Sequence, residues 1–416
     1  MTFSLKGPLA NPRFRRLWIS GFISETGDWM FMVAMPVYVY QLTGSVGATA
    51  TNFLVELLPA LLLSPVAGVL ADRWDRRRTM VWVSVAQVVA LLPLLTVQGP
   101  DQVFVVNIVT AVQAALATVF QPAKYALLPS LVEREDVPAA NGLISLNGNL
   151  ARLGGASLGG FVLGWFGLMG IVVADAATFL LAIVLLLRPF GVTRKVPVHQ
   201  TAWRAYLEGL REIKVRPGLR AMVATVALMG LAQGLFAVLF VVFVTDRLGG
   251  GESDTGLLRG VQAIGGMVGG GLVGILARRI EPGRLLGWSL VVFSALTAAT
   301  WNSAYLTTTM GWFVGLFAVL GAPGIAAFAG RMSVTQMHTQ DATRGRVLAS
   351  LQSIFDSSQA LGLVCAGTLV AWIGLPLALD VQATLLAVAG LLALWNVRKV
   401  VAPAEEPAPA LDTART

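Results

Sequence analysis

Charge is what this sequence has least of. Asp, Glu, Lys and Arg make up 12% of its 416 residues, about half the share in an ordinary soluble chain. So few charges cannot clothe a water-facing surface of this length, and most of the chain must be solvated by lipid. Cysteine is nearly absent. The single Cys365 has no internal disulfide partner and supports no cysteine-based metal cluster. Histidine is limited to His199 and His338, which fall in separate polar stretches where a plain loop role is expected. There is no G-x-x-x-x-G-K-[ST] loop, which excludes ATP drive by this chain, and no nucleophile–base constellation, so neither an enzyme nor a cofactor is expected. The ten-residue alternating segments of a membrane β-barrel are missing as well.

What the chain has instead is apolar length: 56% of it is hydrophobic, and the mean hydropathy is +0.73. A spanning helix takes about 20 such residues. Spans fall near 17–41, 46–71, 79–98, 102–122, 140–165, 168–188, 219–245, 254–277, 284–302, 308–330, 346–372 and 376–397. Runs this long satisfy their backbone groups only as helices. The first apolar run is too long for a signal peptide and contains Glu25 and Asp28. With the N-terminus inside, all of the 30 Lys and Arg except Arg152, Arg247 and Arg259 face the cytoplasm, as the positive-inside bias requires. The net charge of +8 is therefore a property of membrane loops and does not point to nucleic acid. Both termini are expected in the cytoplasm, with the chain in the cell membrane as a monomer.

Two halves are visible. Gly68-Val-Leu-Ala-Asp-Arg-Trp-Asp-Arg-Arg-Arg78 aligns with Gly274-Ile-Leu-Ala-Arg-Arg-Ile-Glu-Pro-Gly-Arg284 at an offset of 206. Gly155–Gly160 aligns with Gly362–Gly367, and Trp165-Phe-Gly167 with Trp372-Ile-Gly374, at 207. The expected fold is an all-α integral membrane protein of twelve transmembrane helices in two pseudo-symmetric six-helix bundles, residues 1–188 and 219–397. Residues 189–218 link them, with Trp203, Tyr206, Leu207 and Leu210 at helical spacing; this is either an amphipathic helix on the membrane surface or an ordinary linker helix. Residues 398–416 are expected to form a disordered tail. Duplicated halves that rock about a pseudo-two-fold axis are a carrier architecture.

The Gly68 loop resembles the G-x-L-A-D-R-x-G-R-[KR] motif of the major facilitator superfamily, with matches at Gly68, Leu70, Ala71, Asp72, Arg73, Arg76 and Arg77, and Asp75 in place of the usual glycine. Together with Gly27-Asp-Trp29 and Thr43-Gly-Ser45 it is similar to the branch of macrolide-efflux and enterobactin-exporter-like proteins. The resemblance implies a cytoplasmic gate in which Asp72 engages the N-terminal end of helix eleven, while the neighbouring arginines bind nearby acids and lipid headgroups. Gly155-Ala-Ser-Leu-Gly-Gly160 is similar to the superfamily's antiporter motif but has Ala156 where proline is usual; Gly155, Gly159 and Gly160 also suit close helix packing. The arginine that many drug–proton antiporters carry in helix four is absent between Gln102 and Gln121.

Ionisable groups inside spans need a reason to be there. Glu25 and Asp28 share one helical face, close enough to favour sharing a proton. Glu56 can face the same cavity, and Arg152 is expected to pair with one of these acids. Asp356 falls at the repeat position of Asn149, and Gln359 at that of Arg152. These five, Glu25, Asp28, Glu56, Arg152 and Asp356, are the candidates for substrate or proton coupling; a buried network that locks helices together is the competing reading. Asp175 and Asp380 are expected nearer the outer ends, and Arg259 is expected to snorkel. Trp29, Met30, Phe31, Met32, Met35, Phe236, Phe240 and Phe328 suit either an apolar cavity or a lipid-facing surface. The resulting expectation is a proton-coupled exporter of small amphipathic molecules such as drugs, macrolides or siderophores. An importer or lysolipid-type carrier of the same superfamily is the alternative, and a non-transporting receptor or membrane enzyme is the alternative of another class.

Overall fold

The computed structural model describes residues 6–133, 136–190, 202–276, 280–339 and 343–396; at 6–7, 60–61, 64–73, 138–139, 142, 145, 149, 202–207, 271–276 and 344–345 it describes the backbone alone. The tail from 398 and His199 lie outside the described residues. Twelve α-helices follow in order: α1 Lys6–Ala10, α2 Pro12–Thr43, α3 Val46–Arg73, α4 Arg76–Leu91, α5 Val103–Leu127, α6 Val137–Leu187, α7 Ala202–Val215, α8 Pro217–Val242, α9 Glu252–Leu276, α10 Pro282–Ser303, α11 Met310–Met337 and α12 Arg344–Asn396.

Two of these are hairpins of two helices. α6 is broken at Gly167 (φ 62°) and α12 at Gly374 (φ 80°), a left-handed backbone that glycine adopts without a side-chain clash. The chain reverses at Gly167, because Gly155 before it and Thr178 after it pack on the same turns of α2, near Thr26 and Gly27. α12 likewise packs Gly362 on Leu231 of α8 and returns to place Asn396 against the Ala221 carbonyl, at the opposite end of α8. The described residues thus hold ten long helices, and the two reversals make them twelve rods. α2–α6 form one bundle and α8–α12 the other. Seven helices among the described residues are long and apolar enough to cross a membrane, and their outer faces expose Trp82, Ile108, Val184, Trp288 and Trp395, as lipid-facing surfaces do.

Local caps explain the breaks between rods. Asn11 accepts from Arg13 N at 2.9 Å to start α2, and Gly44 (φ 61°) ends it. Asp75, in place of the motif's glycine, caps α4 by accepting from Arg78 N at 2.8 Å. α7 packs on the second bundle: Gly209 lies against Arg346 and Ser350 of α12, Glu208 pairs with Arg346, and Ile213 is buried with Leu219 and Val347. Among the described side chains of this helix, Leu210 and Ile213 pack on the second bundle while Val215 is exposed.

Glycine sets the helix spacing. A carbon added at Gly155 would collide with the Thr26 carbonyl of α2, and its repeat mate Gly362 sits the same way on Leu231. Gly160 of α6 meets Gly256 of α9 backbone to backbone, and its repeat mate Gly367 of α12 meets Gly47 of α3. These two crossings join the bundles. Tyr40 hydroxyl also donates across to Asp246, 2.8 Å from both carboxylate oxygens and 206 residues along, so two repeat-equivalent positions meet near the pseudo-axis. Among the described residues, the hydrogen bond and the glycine contacts that join the bundles all lie toward the Gly44 end, away from the basic α3–α4 loop. Gly155→Ala, which forces the α2 and α6 backbones apart, is expected to cost about 1–3 kcal/mol and lower the melting temperature of the purified protein. Gly154→Ala, with nothing within 4 Å of the new carbon, should leave it unchanged or raise it; equal losses would remove the packing explanation.

Candidate functional site

The polar centre of the first bundle is built on α2. Glu25 and Asp28 stand one turn apart, and Gly27 between them lets Asp175 and Thr178 of α6 approach. Glu25 makes an ion pair with Lys124 of α5; both side chains are almost fully buried, and Gln121 Nε2 donates to the same Glu25 oxygen at 3.0 Å. Lys124 corrects the sequence expectation, which put it in a cytoplasmic loop. Pro122 does not end α5, which runs on to Leu127 and so carries Lys124 inward. The basic group missing from the middle of this helix is thus supplied one turn beyond Gln121. Its charge offsets that of Glu25, although the second oxygen of Glu25 is buried without a hydrogen bond.

Asp28 accepts from Gln87 Nε2 of α4 at 3.2 Å, and Gln113 of α5 fixes that glutamine by donating to its carbonyl at 2.9 Å. Beside them lies a cavity of about 440 Å³ between α2, α3, α5 and α6. Asp28, Glu56 and Asp175 line it with Trp29, Phe31, Met32, Gln113 and Gln121, and among the described residues no Lys or Arg is on its wall. One oxygen of Glu56 is buried without a partner. Asp175 was expected nearer an outer end; it is instead 1% exposed, because the chain turns back at Gly167 and descends two turns beside α2. Asp380 stays half-exposed and accepts from Asn302 at 2.9 Å.

The second bundle has its own, separate polar cluster. Arg331 of α11 is the repeat mate of Lys124, 207 residues on, and is also buried rather than in a loop as expected. It donates to Gln352 at 3.3 Å, Gln352 donates to Asp356 at 2.8 Å, and Phe355 lies 5.0 Å below the guanidinium. Asp356 therefore belongs with Arg331, not with Glu25 and Asp28. Among the described residues Arg152 forms no acid pair, which corrects the expectation for it: Lys124 has taken Glu25, and Arg152 lies over Trp29 at 6.0 Å. Arg259 does not snorkel; it sits 4.6 and 4.7 Å over Phe236 and Phe240. Those rings begin an aromatic core with Phe243, Trp301, Phe313 and Phe317, so Phe236 and Phe240 are interior. Phe328 is half-exposed.

In the basic loop, Arg76 donates to the Ala126 carbonyl at 2.7 Å and Arg77 to that of Leu187 at 2.8 Å. Both cap the C-terminal carbonyls of α5 and α6, where acids or headgroups were expected as partners. The side chains of Asp72 and Arg73 and the surroundings of Gly68, in the last turns of α3, lie outside what the structure describes, as do the side chains of Trp203, Tyr206 and Leu207. The described residues hold no group of three His, Cys, Asp or Glu able to bind a metal.

Residues 3–412 match the transmembrane secretion effector family. The chain is 26% identical to the MFS-type transporter YfiS of Bacillus subtilis (strain 168), with 91% of each chain covered. It is 27% identical to the multidrug efflux pump Tap of Mycolicibacterium fortuitum, covering 90% of this chain and 92% of that one. A bacterial homologue of the iron transporter ferroportin has the same fold. Its inward-facing structure superposes with a TM-score of 0.73 at 16% identity, covering 92% and 98% of the two chains. Its outward-facing structure, with the same coverage, gives 0.57 at 19% identity.

The Glu25–Lys124 pair makes a non-additive prediction. Lys124→Met leaves a buried carboxylate uncompensated and is expected to cost about 3–5 kcal/mol. The double variant Glu25→Gln with Lys124→Met should regain most of that in the melting temperature of the purified protein. Additive losses would mean that the two groups do not stabilise each other.

Proposed function

This chain belongs to the transmembrane secretion effector family of major facilitator superfamily transporters, and from that membership we propose that it exports small amphipathic molecules in exchange for protons. It is a multi-pass membrane transporter rather than an enzyme. The observation that carries the proposal is the acid-lined cavity. Three carboxylates, Asp28, Glu56 and Asp175, face one space with no cation on its wall among the described residues, and charge in such a place is costly. Protons neutralise them cheaply. A cavity that takes protons from one side and yields them to the other when it reopens is a coupling device. Phe31, Met32 and Trp29 on the same wall offer an apolar, adaptable face to an amphipathic ligand, and the relation to an efflux pump supports export of that class.

The glycine crossings and the Tyr40–Asp246 bond close one end of the molecule. With the basic loop in the cytoplasm, this is an inward-facing state, and the larger overlap with the inward-facing form of the ferroportin homologue supports that reading. Asp72 is the gate residue for the opposite state. Its repeat position carries Arg278, so the acidic latch is confined to the first half. The carrier works as a monomer in the cell membrane, with both termini in the cytoplasm.

The test is flux in proteoliposomes over lipophilic cations, macrolides and catechol siderophores, with and without a pH gradient. An inward proton gradient should drive efflux of the active compounds. Asp28→Asn and Glu56→Gln should lose the response to the gradient while keeping gradient-independent exchange of substrate. Efflux of every active compound that ignores the gradient would overturn proton coupling, and uptake driven by a gradient in the same direction as the protons would make the chain an importer.

A further inference from the structure

Two arginines remain outside this account. Arg152 on α6 and Arg259 on α9 belong to opposite bundles, and neither has a carboxylate or hydrogen-bond partner among the described residues. The helices that carry them touch: Ser157, five residues beyond Arg152, packs on Gly260, the neighbour of Arg259, and one turn further Gly160 meets Gly256. Arg259 lies within electrostatic reach of Arg152. Two like charges inside a span and across a boundary cost free energy unless something answers them. The aromatic faces of Trp29, Phe236 and Phe240 answer part of it. A ring face leaves the in-plane N–H donors unspent, however, and each guanidinium has five. Arg152 is exposed and Arg259 half-buried, so those donors are reachable.

The repeat shows that the fold itself does not require these cations. The equivalent crossing, α12 on α3, carries Gln359 and Phe53 at the matching positions, 207 residues from Arg152 and 206 from Arg259. Equivalent glycine crossings are therefore made once with two arginines and once with no charge at either position. Only the charged crossing lies beside Trp29, which also lines the acid-lined cavity.

We propose that Arg152 and Arg259 form an anion clamp between the two bundles that holds the acidic group of the transported molecule, so that the substrates are aromatic amphiphiles bearing a carboxylate. The guanidinium edge matches a carboxylate in bidentate fashion, and Trp29 supports the ring that follows it. One arm comes from each bundle, so the bound anion ties the closed end, and the substrate leaves when the bundles part. This assignment rests on the exporter reading and specifies its substrate.

Calorimetric titration of the full-length protein in uncharged detergent micelles tests it, with 2-naphthylacetate and 2-naphthylacetamide as matched probes. The carboxylate should bind about tenfold more tightly than the amide. Arg152→Gln and Arg259→Gln should each bring the two toward parity, and Arg→Lys at either position should keep part of the preference. The amide's affinity, unchanged within about twofold, reports that each variant is folded. Equal binding of the two probes to the native chain overturns the proposal, as does a preference that survives both Gln substitutions together. Loss of the preference on adding phosphatidylglycerol, with lipid binding abolished by the same substitutions, would give the clamp to a headgroup and overturn the substrate assignment. No gradient is present in this measurement, so its outcome is independent of whether efflux responds to protons.

Discussion

An ionised side chain inside a bilayer must be answered by an opposite charge, a proton or a ligand, and this constraint organises the interior of the carrier. Glu25 is answered by Lys124, which fixes α2 against α5. Arg331 is answered through Gln352 and Asp356, which joins α11 to α12. Asp28, Glu56 and Asp175 have no cation on their cavity wall among the described residues and are the groups proposed to take protons; Arg152 and Arg259 have aromatic faces and are the groups proposed to take an anion. Charges that are answered internally hold helices together, whereas those left open mark where something enters and leaves.

The duplicated halves are equal in packing and unequal in chemistry. Glycines at matching positions set the same helix crossings in both, because a small residue is the only way two backbones come so close. Lys124 and Arg331 preserve a buried base in each bundle. The acids were not duplicated: the second half offers no counterpart to Glu25 and Asp28, whose repeat positions fall among Leu231 to Leu235. The acids proposed to couple protons are thereby concentrated in the first bundle, and the second supplies the aromatic platform under Arg259.

Much of the architecture could be read before any coordinates, since apolar length, the positive-inside bias and the repeated Trp-x-Gly segments are strong local signals. The breaks at Gly167 and Gly374 fall where the repeat put them. The two acids on α2 and Glu56 were also apparent, because a charge within an apolar run stands out. Lys124 and Arg331 were misassigned for the opposite reason: each lies near the end of a hydrophobic run, where sequence cannot tell a loop from the last buried turns of a helix. Asp175 was misjudged because depth after a hairpin depends on where the preceding helix turns. The meeting of Arg152 and Arg259 required knowing which faces of α6 and α9 touch, and no local pattern contains that.

The central claim is that the bundles close one end while opening the other. Distances between paired spin labels in lipid nanodiscs address it directly, with the native Cys365 replaced by serine. One pair, at Gln98 and Leu306, spans the end closed here; the other, at Arg78 and Arg284, spans the basic end, and all four positions are exposed. As pH is varied, the account predicts reciprocal populations: the first distance lengthens as the second shortens. Two distances that change in the same sense, or that hold fixed while transport proceeds, would contradict it.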